Sequence, residues 1–133
     1  MAKKFNIQIR STYAEIWRYN IAISCGCTDS AGNVVEVVGE QDNIAPVGSN
    51  LKAAPDGFNL PREVRLSTPE AEGILAYIYL VPHTLPSERD IAETEPFKLS
   101  VKVSAGRDTI YNVTHKVNQW SGTSIELKLP SEK

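Results

Sequence analysis

The chain has 133 residues, the size of one ordinary domain, so we expect a single domain over residues 1–133. Its 14 basic and 16 acidic residues give a formal net charge of −2. Nucleic-acid binding normally requires a concentrated basic patch, and the longest basic run is Lys3-Lys4, so the composition argues against a nucleic-acid partner. No apolar run reaches the ~18 residues that a membrane span requires.

Strand signals begin near the N-terminus. Apolar and polar residues alternate over residues 5–10, and this period of two predicts a strand with one buried face. A second alternating run covers residues 17–24, with its apolar members on one face: Trp17, Tyr19, Ile21 and Ile23. We assign Trp17 to the core. Turn-forming residues and a third apolar run follow, so residues 16–38 are predicted to form a hairpin.

The middle of the chain combines a long loop with a strongly apolar segment. Residues 39–61 hold three glycines and three prolines, and this composition predicts the longest irregular stretch, of a kind that is often functional. A short strand is predicted at 63–66. Residues 74–81 are almost entirely apolar and lie between Gly73 and Pro82, which predicts a central strand buried on both faces.

The C-terminal third alternates most regularly. A second long connection covers residues 82–96, and Ser87 is the predicted cap of one short helix over 87–93. Strands are then predicted at 97–103, at 109–113 or 109–117, and at 123–129. The total of seven or eight strands with at most one short helix predicts an all-β chain. Such a chain forms a β-sandwich or a small barrel, and the mostly one-sided alternation favours an antiparallel β-sandwich of immunoglobulin-like or transthyretin-like architecture.

A tryptophan in a polar turn is the main candidate for ligand contact. Trp120 follows Asn118 and Gln119 between two predicted strands. An aromatic plate flanked by amides suits sugar or peptide recognition, because the ring stacks while the amides form hydrogen bonds. We therefore predict a ligand-binding site made of Trp120, Asn118, Gln119 and Tyr111, to which Tyr13 also contributes. The alternative is that Trp120 caps one end of the core.

Metal sites receive less support from the sequence. Cys25 and Cys27 share one face of a predicted strand, and with His83 and His115 they make a Cys2His2 set by number alone. Their spacing is not that of a zinc finger, and buried cysteines commonly serve as small apolar residues. Five aspartates fall in predicted loops without the spacing of a calcium loop: Asp29, Asp42, Asp56, Asp90 and Asp108. No metal and no cofactor is predicted.

The absence of catalytic motifs favours a non-enzymatic protein. The sequence contains no nucleophile elbow, no zinc-protease motif and no glycine-rich phosphate loop. The first hypothesis is therefore a binding or assembly module that contacts a protein or peptide partner through its end loops or an edge strand, which also permits a homo-oligomer. One alternative is a carbohydrate-binding module that uses Trp120. The other is a small metal-dependent enzyme that uses Cys25, Cys27, His83 and His115.

The sequence leaves the compartment open. The N-terminus has a basic start but lacks the apolar segment of a signal peptide. We expect a cytoplasmic protein if Met1 is native. If a leader was removed and replaced by methionine, the protein is exported or attached to a surface.

Overall fold

The strands cross from one layer to the other along the chain. The computed structural model describes residues 2–49, 51–84 and 95–129. In this part of the chain, eight strands and one short 3-10 helix are present. The strands are β1 (Lys3–Ser11), β2 (Tyr19–Thr28), β3 (Val34–Asp42), β4 (Arg62–Ala71), β5 (Gly73–Pro82), β6 (Phe97–Ala105), β7 (Asp108–Val117) and β8 (Thr123–Leu129), and the 3-10 helix covers Ile16–Arg18.

Two antiparallel four-stranded sheets form a sandwich. The first sheet has the strand order β4-β1-β6-β7 and the second has the order β3-β2-β5-β8. All the strand pairs are antiparallel. The prediction of an all-β antiparallel sandwich is therefore confirmed. We call the side of each sheet that packs on the other its inner face, and the opposite side its outer face.

The alternation in the sequence produces the core directly. In β6, residues Phe97, Leu99, Val101 and Val103 point inward and are buried, while the lysines between them are exposed. Inward residues of the other sheet meet them, among them Ile125 and Leu127 of β8. Burying one such aliphatic side chain stabilises the fold by roughly 1.5–3 kcal/mol, so the alternation favours packing the apolar faces of the two sheets against each other.

One correction concerns Trp17, which lies in the 3-10 helix and not in a strand. The amide of Ile16 donates to the carbonyl of Tyr13, and the amide of Arg18 donates to that of Glu15. These hydrogen bonds join residues three positions apart and form where the chain crosses from the first sheet to the second. A continuous strand could not make this crossing. Trp17 is nevertheless buried, as predicted.

A second correction concerns β5, which is central in its sheet but buried on one face only. Its outer face exposes Tyr77, Tyr79 and Val81, with exposed fractions of 36%, 41% and 42%. No described residues form a layer over this side of the sheet. The apolar composition of residues 74–81 therefore does not correspond to two buried faces.

The loop predicted at 39–61 is shorter than expected, because β3 extends into it, and the strand that follows the loop is longer than expected. β3 continues to Asp42, and β4 covers Arg62–Ala71, where we had predicted only residues 63–66. The inner face of β4 includes two buried polar residues, Arg62 and Thr68, so the full length of this strand does not show an alternation of apolar and polar residues. The helix predicted at 87–93 lies outside the described residues. Within those residues, no helix is long and apolar enough to cross a membrane.

Candidate functional site

The turn that carries Trp120 is tightly held between β7 and β8. The amide of Gly122 donates to the carbonyl of Asn118 at 3.0 Å. The side-chain oxygen of Asn118 accepts the amides of Trp120 at 2.8 Å and of Ser121 at 3.1 Å. Gly122 has a φ of +67°, and a Cβ at this position would lie 2.0 Å from the carbonyl oxygen of Leu80. Glycine is therefore required for the turn to press against β5.

Gln119 is committed to contacts within the protein. Its side-chain oxygen accepts hydrogen bonds from the hydroxyl of Tyr13 and from Nη2 of Arg18, both at 3.0 Å. Its Nε2 donates to the carbonyl of Glu95 at 2.6 Å, and its own carbonyl accepts the hydroxyl of Tyr19 at 2.5 Å. Both ends of the amide group already have partners, so in this conformation Gln119 positions the turn.

Arg18 is the centre of this cluster and was missed by the sequence analysis. Its side chain is only 1% exposed and forms an ion pair with Glu15, with 3.4 Å between Nη2 and Oε1. The guanidinium carbon lies 5.7 Å from the ring centre of Tyr13 and 5.5 Å from that of Tyr19. Among the described residues, Nε and Nη1 have no hydrogen-bond partner. The contacts of Nη2 and the two rings therefore stabilise most of the buried charge.

A second buried arginine, Arg62, has partners on all three nitrogens. Its Nε pairs with the carboxylate of Asp42 at 3.0 Å, and its Nη2 donates to the carbonyl of the same residue at 2.8 Å. Its Nη1 donates to the carbonyls of Ile16 and Tyr19 at 2.8 and 2.6 Å. Burial lowers the pKa of Arg62, and Asp42 opposes that shift. This arginine connects β4 to β3 and to the crossing between the sheets.

His83 lies between the two arginines as a structural residue. Its Nε2 is 2.7 Å from the carbonyl of Trp17, which can only accept, so Nε2 carries the proton and donates it. Its Nδ1 then accepts from the hydroxyl of Thr84 at 2.7 Å. Burial lowers the pKa of His83, and the nearby charges of Arg62 and Arg18 lower it further, so the neutral form is favoured. Both ring nitrogens are occupied by protein groups.

The structure separates the four residues of the Cys2His2 hypothesis. Cys25 and Cys27 are buried on the inner face of β2, His115 lies on β7 in the other sheet, and His83 follows the end of β5. Burial raises the pKa of Cys25 to about 12, and it also raises the pKa of Cys27. Among the described residues, no three His, Cys, Asp or Glu side chains are grouped to hold a metal ion. The arrangement therefore gives no support to zinc chemistry at these positions.

The predicted ligand site is only partly assembled. Asn118, Gln119 and Trp120 share one turn, and Tyr13 reaches it through Gln119. Tyr111 lies six residues before the end of β7, which places it about 20 Å along the strand from that turn. Its hydroxyl is instead 2.9 Å from Nε2 of His115 on the same strand. The structure therefore does not bring Tyr111 to Trp120.

β3 is the most exposed strand, and although contact through an edge strand was expected, this strand was not identified as that edge. It is an edge of the second sheet and pairs only with β2 in the described part of the chain. Three of its valines are largely exposed: Val34 at 48%, Val35 at 67% and Val37 at 64%. Glu36 and Glu40 are exposed as well. A valine-rich run normally predicts a core strand, and only the topology shows that this one is an edge.

The outer face beside β3 is shallow, because the adjacent strand carries small side chains there. In the register of the sheet, Val37 lies opposite Gly26, and Gly39 lies opposite Ser24. Residues Ser24, Val37, Gly39 and Gln41 line a depression at this edge. On the far side of β2, Tyr77 and Tyr79 of β5 project from the same face. Together these residues make a partly apolar surface that continues from the free edge of β3.

Comparison with known proteins provides no functional assignment. The chain matches no protein-family model, no curated protein and no solved structure. The function must therefore be inferred from the surfaces that the fold leaves open. Two such surfaces are considered below: the turn at Trp120, and the edge of β3 with its outer face.

Proposed function

We propose that this protein is a non-enzymatic binding or assembly module that takes an extended segment of a protein partner as an extra strand along β3. The observation that carries this proposal is the exposure of β3 on both faces at the edge of a sheet. An edge strand presents unpaired amide and carbonyl groups, and a peptide that pairs with them gains a ladder of main-chain hydrogen bonds.

The side chains of β3 favour such a contact. Val34 and Val37 remain largely exposed, and the methyl groups of Val34 lie 3.3 Å from the position that a Cβ on Gly26 would occupy. They therefore lie together over the outer face at Gly26. A bound strand that covered them would remove apolar surface from water, which stabilises a complex by roughly 25 cal/mol per Å² of buried apolar area before the entropic cost of binding.

The end turn is a weaker candidate for the same role. The side chains of Asn118 and Gln119 already form hydrogen bonds within the protein. A sugar that stacked on Trp120 would have to break the bonds of Gln119 in order to gain contacts from that amide. The carbohydrate-binding alternative is therefore less favoured than strand addition.

The proposed function can be tested by selecting peptide ligands without assuming the sequence of the partner. A displayed library of random nine-residue segments is screened against the protein, and bound segments are located by amide hydrogen exchange. We expect slower exchange in β3 and loss of binding in Val37→Lys. The matched control is Val113→Lys, which alters a 41% exposed valine on β7, an edge of the other sheet. Binding that survives Val37→Lys and protects residues 118–122, or a screen that yields no segment, would overturn the proposal.

A further inference from the structure

The free edge carries two acidic side chains on one side. In the register of β2 and β3, Glu36 lies opposite Cys27 and Glu40 lies opposite Ile23, both of which are inner-face residues. Asp42 has the same orientation, but Arg62 neutralises it at 3.0 Å. Within residues 2–49, 51–84 and 95–129, no ion pair involves Glu36 or Glu40. The inner side of the edge therefore presents two uncompensated charges about 14 Å apart.

These charges oppose pairing with a second copy of the chain. Two copies of β3 that joined antiparallel into one continuous sheet would place their inner faces on the same side. The register centred on Val38 then sets Glu36 opposite Glu40 of the second copy. Registers centred on Glu36 or Glu40 set that residue opposite its own equivalent. Like charges directly opposite each other destabilise a strand pair, so these three registers of self-pairing are disfavoured. The register centred on Val37 sets Glu36 opposite Val38 and is not opposed in this way.

The same charges select a basic partner. Resting on the proposed function of β3, we propose that the occupant is an extended segment with two lysines or arginines four residues apart. Antiparallel pairing places one basic side chain opposite Glu40 and the other opposite Glu36. Opposite charges in directly facing positions stabilise a strand pair. The residue between them on the same side faces Val38, which is half-buried and packs on the core, so an apolar side chain is expected there.

The outer side of the edge specifies the two remaining positions. One partner residue faces Gly39. Because Gly39 has no side chain, the depression beside Ser24 is uncovered, and a large aromatic side chain of the partner can fill it. The next position faces Val37, where a β-branched residue gives apolar contact. The expected partner pattern is therefore basic, aromatic, apolar, β-branched, basic, as in Lys-Tyr-Val-Val-Lys.

The experiment uses three synthetic nine-residue peptides with the protein as it stands. The basic peptide centres on Lys-Tyr-Val-Val-Lys, and the acidic peptide replaces both lysines with glutamate. The third is the basic peptide in which the backbone amides that would donate to β3, at every second residue, are N-methylated. It keeps its charge but cannot form the hydrogen bonds that extend the sheet. Affinities are measured by fluorescence anisotropy for the unaltered protein, for Glu36→Lys/Glu40→Lys and for Glu70→Lys/Glu126→Lys. The last double variant changes the net charge equally at exposed sites on other strands.

Two cross-strand ion pairs correspond to about 2- to 30-fold in affinity, and repulsion weakens the acidic peptide further, so the unaltered protein is expected to bind the basic peptide at least about 2-fold more tightly than the acidic one. Glu36→Lys/Glu40→Lys should reverse this order, while Glu70→Lys/Glu126→Lys should preserve it. Circular dichroism checks that each variant is folded.

Three results would overturn the inference in different ways. Equal affinity for the basic and acidic peptides, with both lost in Val37→Lys, would show strand addition at β3 without charge selection and would leave the proposed function standing. Equal binding of the N-methylated peptide would show a contact that does not extend the sheet. If no peptide bound up to millimolar concentration, strand addition at β3 would fail together with this inference.

Discussion

Replacing Gly122 with alanine tests whether the end turn is pressed against β5. The added Cβ would lie 2.0 Å from the carbonyl oxygen of Leu80 and 3.0 Å from its carbonyl carbon. Both are backbone atoms within a paired strand, so they cannot rotate away as a flexible side chain would. The turn itself must move by about 1 Å or more to reach an ordinary van der Waals separation.

The expected loss of stability has two parts. A left-handed backbone costs a residue other than glycine roughly 1–2 kcal/mol, and Gly122 has a φ of +67°. Moving the turn also weakens the hydrogen bonds of Asn118 and Gln119 that hold it, each of which contributes about 1 kcal/mol. We expect Gly122→Ala to lower the free energy of unfolding by about 3–4 kcal/mol, the sum of the backbone part and of these two hydrogen bonds.

Gly106→Ala separates the two contributions. Gly106 has a similar φ of +61°, but the nearest atom to its added Cβ is the side-chain Cδ of Lys3 at 3.8 Å. This variant should therefore lose only the backbone part, roughly 1–2 kcal/mol. Equilibrium unfolding in urea, with an unchanged slope required for the comparison, measures both values. Equal losses for the two variants would refute the steric reasoning and would show that the turn moves away from β5 at little cost.

Three further predictions concern the buried polar groups. Gln119→Ala should lower the free energy of unfolding by roughly 2–4 kcal/mol in a urea titration, because Arg18 stays buried and loses a hydrogen-bond acceptor. A loss no larger than that of an ordinary surface substitution would show that Gln119 does not stabilise the buried arginine. Because the pKa of His83 is lowered in the folded protein, the unfolded chain binds its proton more readily. Above pH ~6.5 this residue should therefore leave the free energy of unfolding unchanged. At lower pH the free energy of unfolding should decrease, with a slope of at most ~1.4 kcal/mol per pH unit. His83→Gln should remove this pH dependence. Cys25 and Cys27 are buried and have raised pKa values, so a thiol reagent at pH 8 should label them only as fast as the protein unfolds. Rapid labelling of the folded protein would contradict this prediction and would show that β2 opens locally.

The candidate site was less accessible to sequence reasoning than the fold. Trp120, Asn118 and Gln119 were correctly expected to share one turn, because they are adjacent in the chain. Their contact with Arg18 was not expected, since it joins residues about a hundred positions apart. Nothing in the local sequence distinguishes an arginine buried between two tyrosines from one on the surface.

The strand composition explains both the successes and the errors in the fold. The alternation over residues 97–103 and 123–129 was sufficient to predict one buried face per strand, because successive side chains point to opposite sides of any strand. The same reasoning fails when both sides are apolar. It assigned two buried faces to residues 74–81, of which Tyr77 and Tyr79 are exposed.

The period of two is a local property of each strand, so the sequence was sufficient to predict an all-β chain and to favour a sandwich over a small barrel. The edge strands could be identified only in the folded protein, because strand order depends on pairing between distant segments. Residues 34–38 read as an ordinary apolar strand, yet the order β3-β2-β5-β8 leaves them open on one side. The position of β3 in the sheet, and not its composition, makes Glu36, Val37 and Glu40 available to a partner.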